Sequence, residues 1–173
     1  HAALDAVSEM MQEHPVAPEN IERIVVRQKA RDVWTIGNIV EPNDIVSAQF
    51  SGRFGIAFRL VKGSNGFHDY SDENLSDPQI RNLVHRIEYE TDDELETTNP
   101  SGAPARVRVQ SRDGNVYEKT IEFAKGTIQN PMTGHELENK FRELAGTALT
   151  EKYIEKIIEQ VEEIEEVDDL RTL

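Results

Sequence analysis

The sequence predicts an α+β fold: a roughly four-stranded, mainly antiparallel sheet with a long crossing helix, plus two C-terminal helices. Three observations carry that reading. Short runs of period-two alternation recur at 21–29, 86–90, 105–110 and 116–123, the pattern of half-buried strands. Over 44–62 the apolar residues, Phe50, Phe54 and Phe58 among them, recur at helical spacing. Near its end the chain carries an i, i+3, i+4, i+7 stripe of Ile154, Ile157, Ile158, Val161, Ile164 and Val167 in a Glu-rich segment.

Each element has local justification. Leu4, Val7, Met10 and Met11 share one face of a helix over 2–13, which Pro15 and Pro18 end. In the first strand Ile24 and Val26 alternate with Arg23, Val25 and Arg27, and residues 30–43 then read as irregular. Gly52 and Gly55 lie inside the long helix. Each costs a helix about 1 kcal/mol relative to Ala, which implies close approach by a backbone or a ligand. Residues 63–76 read as a polar loop. Asp77-Pro78 starts a short helix, with an N-cap acid and Pro at the first helical position. The acidic stretch 91–104 reads as turns, and Ser111 to Asn115 as a hairpin turn. Lys119, among apolar neighbours, is expected to snorkel. Thr133 and Glu136 form a capping box for the first C-terminal helix, and Thr150 is expected to cap the second.

Composition excludes several function classes. The chain has no Cys, so neither a disulfide nor a thiolate metal site is available. No apolar run approaches the roughly 20 residues of a membrane span. The net charge of −14 opposes binding to nucleic acid or an anionic membrane. That charge is unevenly placed. Residues 66–98 carry ten acids and two bases, whereas residues 20–62 carry seven bases against four acids. An anionic substrate would have to sit in the second region. His68, Asp69, Asp72 and Glu73 match no metal-ligand spacing and read as a solvated loop, so no metal is expected. No phosphate-binding glycine loop, nucleophile elbow or zinc helix motif is present.

His1-Ala2-Ala3-Leu4-Asp5-Ala6 resembles the T-H-A-A-x-D-A segment that opens the C-terminal part of the MmgE/PrpD family. Further blocks follow in family order. They are Ala48-Gln49-Phe50-Ser51, running on to Lys62-Gly63, then Asp113-Gly114, Lys125-Gly126, Asn130-Pro131-Met132-Thr133 and Lys140-Phe141-Arg142. Together they cover roughly residues 1–149. The resemblance implies a piece of a longer enzyme, and the lack of a signal-like start makes a cytoplasmic protein the expectation. Residues 1–130 would be a lid-like α+β domain. Residues 131–173 would be helices that pack on the parent's N-terminal helical domain, or satisfy their apolar stripe internally.

Family members dehydrate 2-methylcitrate, decarboxylate cis-aconitate or epimerise iminodisuccinate. The implied parent is a carbon–oxygen lyase of the 2-methylcitrate dehydratase type in propionate catabolism, a homodimer without a cofactor, acting on a small polycarboxylate. A non-catalytic module binding a basic partner is the reading from another class. The fragment alone is expected to be inactive. His1 matches the family's junction His: either it lines the cleft, as a catalytic group, or it hydrogen-bonds the helix start. Gln49 and Ser51 match family positions for substrate contact. Arg53 departs from the family pattern, as a carboxylate clamp or a solvated charge, and Trp34 either closes over a ligand or plugs a loop.

Overall fold

The computed structural model describes residues 1–166; Val167, the last residue of the C-terminal stripe, lies outside the described residues. The chain forms two compact units, His1–Asn130 and Pro131–Leu173.

In the first unit, helix α1 (Ala2–Glu13) leads to β1 (Ile21–Gln28), then α2 (Ala30–Ile36), α3 (Ile45–Gln49) and α4 (Gly52–Lys62). Short helices α5 (Asp72–Leu75) and α6 (Pro78–Val84) precede β2 (Ile87–Thr91) and α7 (Asp93–Thr98). The hairpin β3 (Ala105–Ser111) and β4 (Val116–Ile121) completes a four-stranded sheet of order β2-β1-β3-β4. Gly114, at φ 88, supplies the left-handed residue that the hairpin turn needs.

The fold is α+β, as the sequence predicts, but the sheet is mixed. β1 pairs antiparallel with β3, and β3 with β4, whereas β1 and β2 are parallel, Ile24 opposite Ile87 and Val26 opposite Tyr89. Parallel neighbours require a crossover, and here α2 to α6 provide it. The irregular reading of 30–43, the loop reading of 63–76 and the turn reading of 91–104 therefore each miss a short helix. These segments are too polar or too short to show helical periodicity, and their signals are local caps. Ser71 accepts from Asn74 N, and Asp92 accepts from Glu94 N and Leu95 N.

The long crossing helix is two helices. Phe50 ends α3, and Ser51, in extended conformation, caps α4 by accepting from Phe54 N. The core lies between the sheet and α1, α4 and α6. It is built from Ile24, Val26, Ile87, Val107 and Val109 of the strands with Met10, Phe54 and Phe58 of the helices. Burying each phenylalanine contributes about 1.5–3 kcal/mol. The opposite face carries cross-strand ion pairs, Arg23 with Glu88 at 2.5 Å and Arg27 with Glu90 at 3.0 Å. Lys119 extends to Glu13 and Glu9, at 2.8 and 3.0 Å, and these pairs hold its ammonium pKa above the ordinary value.

In the second unit, α8 (Gly134–Ala145) begins with the expected Thr133/Glu136 capping box. Thr150 is at the N-cap of α9 (Glu151–Glu162), but its side chain makes no capping bond. Arg142 ties the two helices by a bidentate bond to Glu155, at 2.8 and 2.9 Å. Of the apolar stripe, Ile154 and Ile158 are buried, whereas Val161 and Ile164 are exposed. No helix among the described residues is long and apolar enough to cross a membrane.

Candidate functional site

The N-terminal end of α1, the α3–α4 break and the edge of β2 enclose a cleft of about 550 Å³ in the first unit. It gathers three of the residues singled out from sequence: His1, Gln49 and Ser51. His1 stands at the N-cap of α1, and its carbonyl accepts from Asp5 N at 3.0 Å. Its side chain makes no capping bond, so the imidazole is exposed beside the cleft rather than committed to the helix start. Ser51 is buried. Its hydroxyl donates to Ile39 O at 2.7 Å and accepts from Phe54 N at 3.0 Å, so it builds the wall by holding the loop and the α4 start together. Gln49 is exposed on the last turn of α3.

Arg53 and Trp34 are not among the cleft-lining residues. Arg53 Nε donates to Gly37 O at 2.8 Å, and Nη1 donates to Ile87 O. Its guanidinium also lies 5.8 Å from the Tyr89 ring centroid. It is half-buried, and these bonds pin α4 to the α2 terminus and to β2. Trp34 sits on α2 rather than in a loop, with 75% of its surface exposed.

Gly52 and Gly55, which the sequence marks for a close approach, line the cleft too, but sequence reasoning missed its other polar residues. Asp5 and Ser8 follow His1 on α1, and Arg59, Asn65, Tyr70 and Tyr89 close the other side. The available signal was helical phase. Gly52, Gly55 and Arg59, at spacings of three and four, fall on one face of α4. The two glycines do different things. A Cβ at Gly52 would lie 2.2 Å from Tyr89 Oη, so the close approach is made by a side chain. A Cβ at Gly55 would meet nothing nearer than 3.9 Å, so this glycine opens space in the cleft.

The polar atoms of the cleft are ordered. Ser8 Oγ donates to Leu4 O at 2.8 Å and accepts from Arg59 Nε at 3.0 Å. Asn65 Nδ2 donates to Gly55 O and to Tyr70 Oη, at 3.1 and 3.2 Å. Asp5 accepts from Lys125 N at 2.7 Å. Among the described residues, Arg59 has no carboxylate within ion-pair distance. Burial pushes the Tyr89 phenol pKa well up, with the Arg53 charge acting weakly against it, so Tyr89 stays neutral. Its hydroxyl and Asn65 Oδ1 are buried without a hydrogen-bond partner. Arg59 also borders a groove of about 660 Å³, lined mostly by apolar residues such as Val7, Met11, Val16 and Leu60. No group of three or more His, Cys, Asp or Glu among the described residues could hold a metal ion.

The α+β domain thus carries a cleft with the volume of a small-molecule site and a few convergent polar groups. The chain belongs to the MmgE/PrpD family: the family model of the MmgE/PrpD C-terminal domain matches residues 1–166. It is similar, at 23% identity over its whole length, to a protein from Aspergillus terreus named cis-aconitate decarboxylase, of which it covers 37%. It is likewise similar, at 26% identity over its whole length, to the Mus musculus cis-aconitate decarboxylase, of which it covers 36%. The chain thus spans little more than a third of the length of these relatives.

Proposed function

We propose that this domain forms one wall of the substrate cleft of a carbon–oxygen lyase acting on a small di- or tricarboxylate such as 2-methylcitrate. The observation that carries the reading is His1: it borders a cleft with several ordered polar groups, and its side chain makes no capping bond to the helix it precedes. In such a dehydration a proton leaves a carbon next to a carboxylate, and a hydroxyl leaves the neighbouring carbon as water. On this reading His1 moves a proton to or from the reacting groups, a role an imidazole commonly takes. The acid or base that completes the cycle, and the second wall, come on this reading from an N-terminal helical domain, in a homodimeric parent.

A second reading, decarboxylation of an unsaturated tricarboxylate, draws on the relatives, which are named cis-aconitate decarboxylases. Here a carboxylate leaves as CO2 and the carbon that it vacates takes up a proton, which the same His could deliver.

The full-length gene product separates the two. It is incubated with 2-methylcitrate and, separately, with cis-aconitate, and the products are followed by proton NMR. The dehydratase reading expects an olefinic tricarboxylate from the first, and the decarboxylase reading expects an olefinic dicarboxylate, with loss of CO2, from the second. His1→Ala should lower kcat by about 10²- to 10⁴-fold for whichever reaction occurs. No turnover of either acid, or full activity without the imidazole, would remove this reading.

A further inference from the structure

We propose that Arg59, oriented by Ser8 and assisted by Tyr70, is the residue of this cleft that binds a carboxylate of the substrate; this rests on the polycarboxylate reading above. Arg59 lines the cleft half-buried, and among the described residues no carboxylate lies within ion-pair distance of it. The acid nearest in role is Asp5, whose carboxylate accepts from the Lys125 main-chain N–H at 2.7 Å instead. His1, Tyr70 and Tyr89 are the other titratable groups on the cleft wall, and none carries a fixed negative charge at neutral pH.

The guanidinium is also fixed in orientation. The Ser8 hydroxyl has one proton, and it goes to Leu4 O. Its lone pair is thereby turned to Arg59 Nε, at 3.0 Å. Nε is used up and the two Nη groups remain as donors, the half of the fork that meets a carboxylate. Tyr70 is held comparably. Its oxygen accepts from Asn65 Nδ2 at 3.2 Å, which leaves its own proton to donate. Between the two lies Gly55, one turn before Arg59. A Cβ there would already stand in van der Waals contact, at 3.9 Å, with Tyr70 Oη, Asn65 and Leu4, so it is the absence of a side chain that leaves room on the helix surface for a bound group.

The test uses the full-length protein, with tricarballylate as an unreactive tricarboxylate and glutarate as a dicarboxylate of similar length. Calorimetric Kd values are measured for wild type, Arg59→Met, Arg59→Lys, Ser8→Ala and Tyr70→Phe, each checked for folding by circular dichroism. Wild type should prefer tricarballylate to glutarate. Arg59→Met should bind tricarballylate roughly 10- to 150-fold more weakly, the loss of one charge-assisted contact, and should lose most of that preference. Arg59→Lys should recover part of the affinity. Ser8→Ala keeps the charge but frees it, so a smaller loss there supports the proposal even where Arg59→Met does not fold. If every folded variant binds tricarballylate within twofold of wild type, Arg59 is not the anchor, although the polycarboxylate reading survives. If wild type binds neither acid, the polycarboxylate reading fails and this proposal fails with it.

Discussion

Arg53 offers the sharpest separation between a binding role and a structural one. Replacing it with Ala removes the donors to Gly37 O and Ile87 O and the contact with the Tyr89 ring. Hydrogen bonds from a charged group contribute about 1.5–3 kcal/mol each, and an abandoned buried carbonyl adds its own desolvation cost. Water reaches part of this half-buried site, so the expected loss for the pair is about 3 kcal/mol rather than the full sum. For a chain of this size that corresponds to a melting point lower by roughly 6–12 °C. Arg53→Lys, whose ammonium reaches one carbonyl more readily than two, should recover about half. Far-UV circular dichroism is the suitable assay, because Trp34 is too exposed to report on core melting. Activity of the full-length enzyme, measured well below the melting transition, should stay within about twofold. An unchanged melting point with a tenfold loss in kcat/KM would refute this reasoning and return Arg53 to the substrate.

Three further outcomes follow from the same geometry. Gly52→Ala should destabilise, since its Cβ meets Tyr89 Oη at 2.2 Å, and Tyr89→Phe in the same chain should recover part of the loss; urea titration of the single and double variants checks this. Gly55→Ala should do the opposite, raising stability by up to about 1 kcal/mol through helix propensity while weakening tricarballylate binding, because the methyl group enters the cleft. Asp77 caps α6 and pairs with Lys62 at 2.7 Å, and that bond, ahead of the backbone N–H groups, holds its carboxyl below the ordinary range. A lowered folded pKa means that its stabilisation is present above the unfolded pKa of about 3.9 and is lost as pH falls through the lower folded value. Asp77→Ala should therefore cost about 1 kcal/mol at pH 7, and the cost should shrink as pH falls below about 3.9, read from melting curves across that range.

Much of the architecture was legible in the sequence because its signals are local and repetitive. The alternation in 105–110 and 116–123 with Asp113-Gly114 between them specifies a hairpin, and the hairpin is there. Thr133 and Glu136 announce the start of α8 in the same way. The direction of β2 was not legible, since the 86–90 pattern is identical whether the strand runs with β1 or against it. Direction depends on the crossover through α2 to α6, whose short helices lack a full amphipathic period. The six-residue C-terminal stripe likewise reads as one continuous face, but within the described residues its members part company: Ile154 and Ile158 are covered while Val161 and Ile164 meet solvent.

The candidate site was half legible, and the reason lies in helical phase. His1, Gln49 and Ser51 were found because they sit in sequence blocks that can be matched without knowing their geometry. Arg53 was placed beside Gln49 by assuming one continuous helix, in which residues four apart share a face. The chain instead stops at Phe50 and restarts from Ser51, and that break resets the phase. Counted within α4 alone, at about 100° per residue, Arg53 stands roughly 160° from Gly55, whereas Arg59 stands roughly 40° from it. The same helix therefore turns one arginine toward the α2 terminus and β2 and the other toward the cleft. Ser51 carried the clue, because a Ser immediately before Gly is a stronger signal for starting a helix than for continuing one. A cap read as a cap would have put Arg59, rather than Arg53, on the face of α4 that Gly52 and Gly55 share.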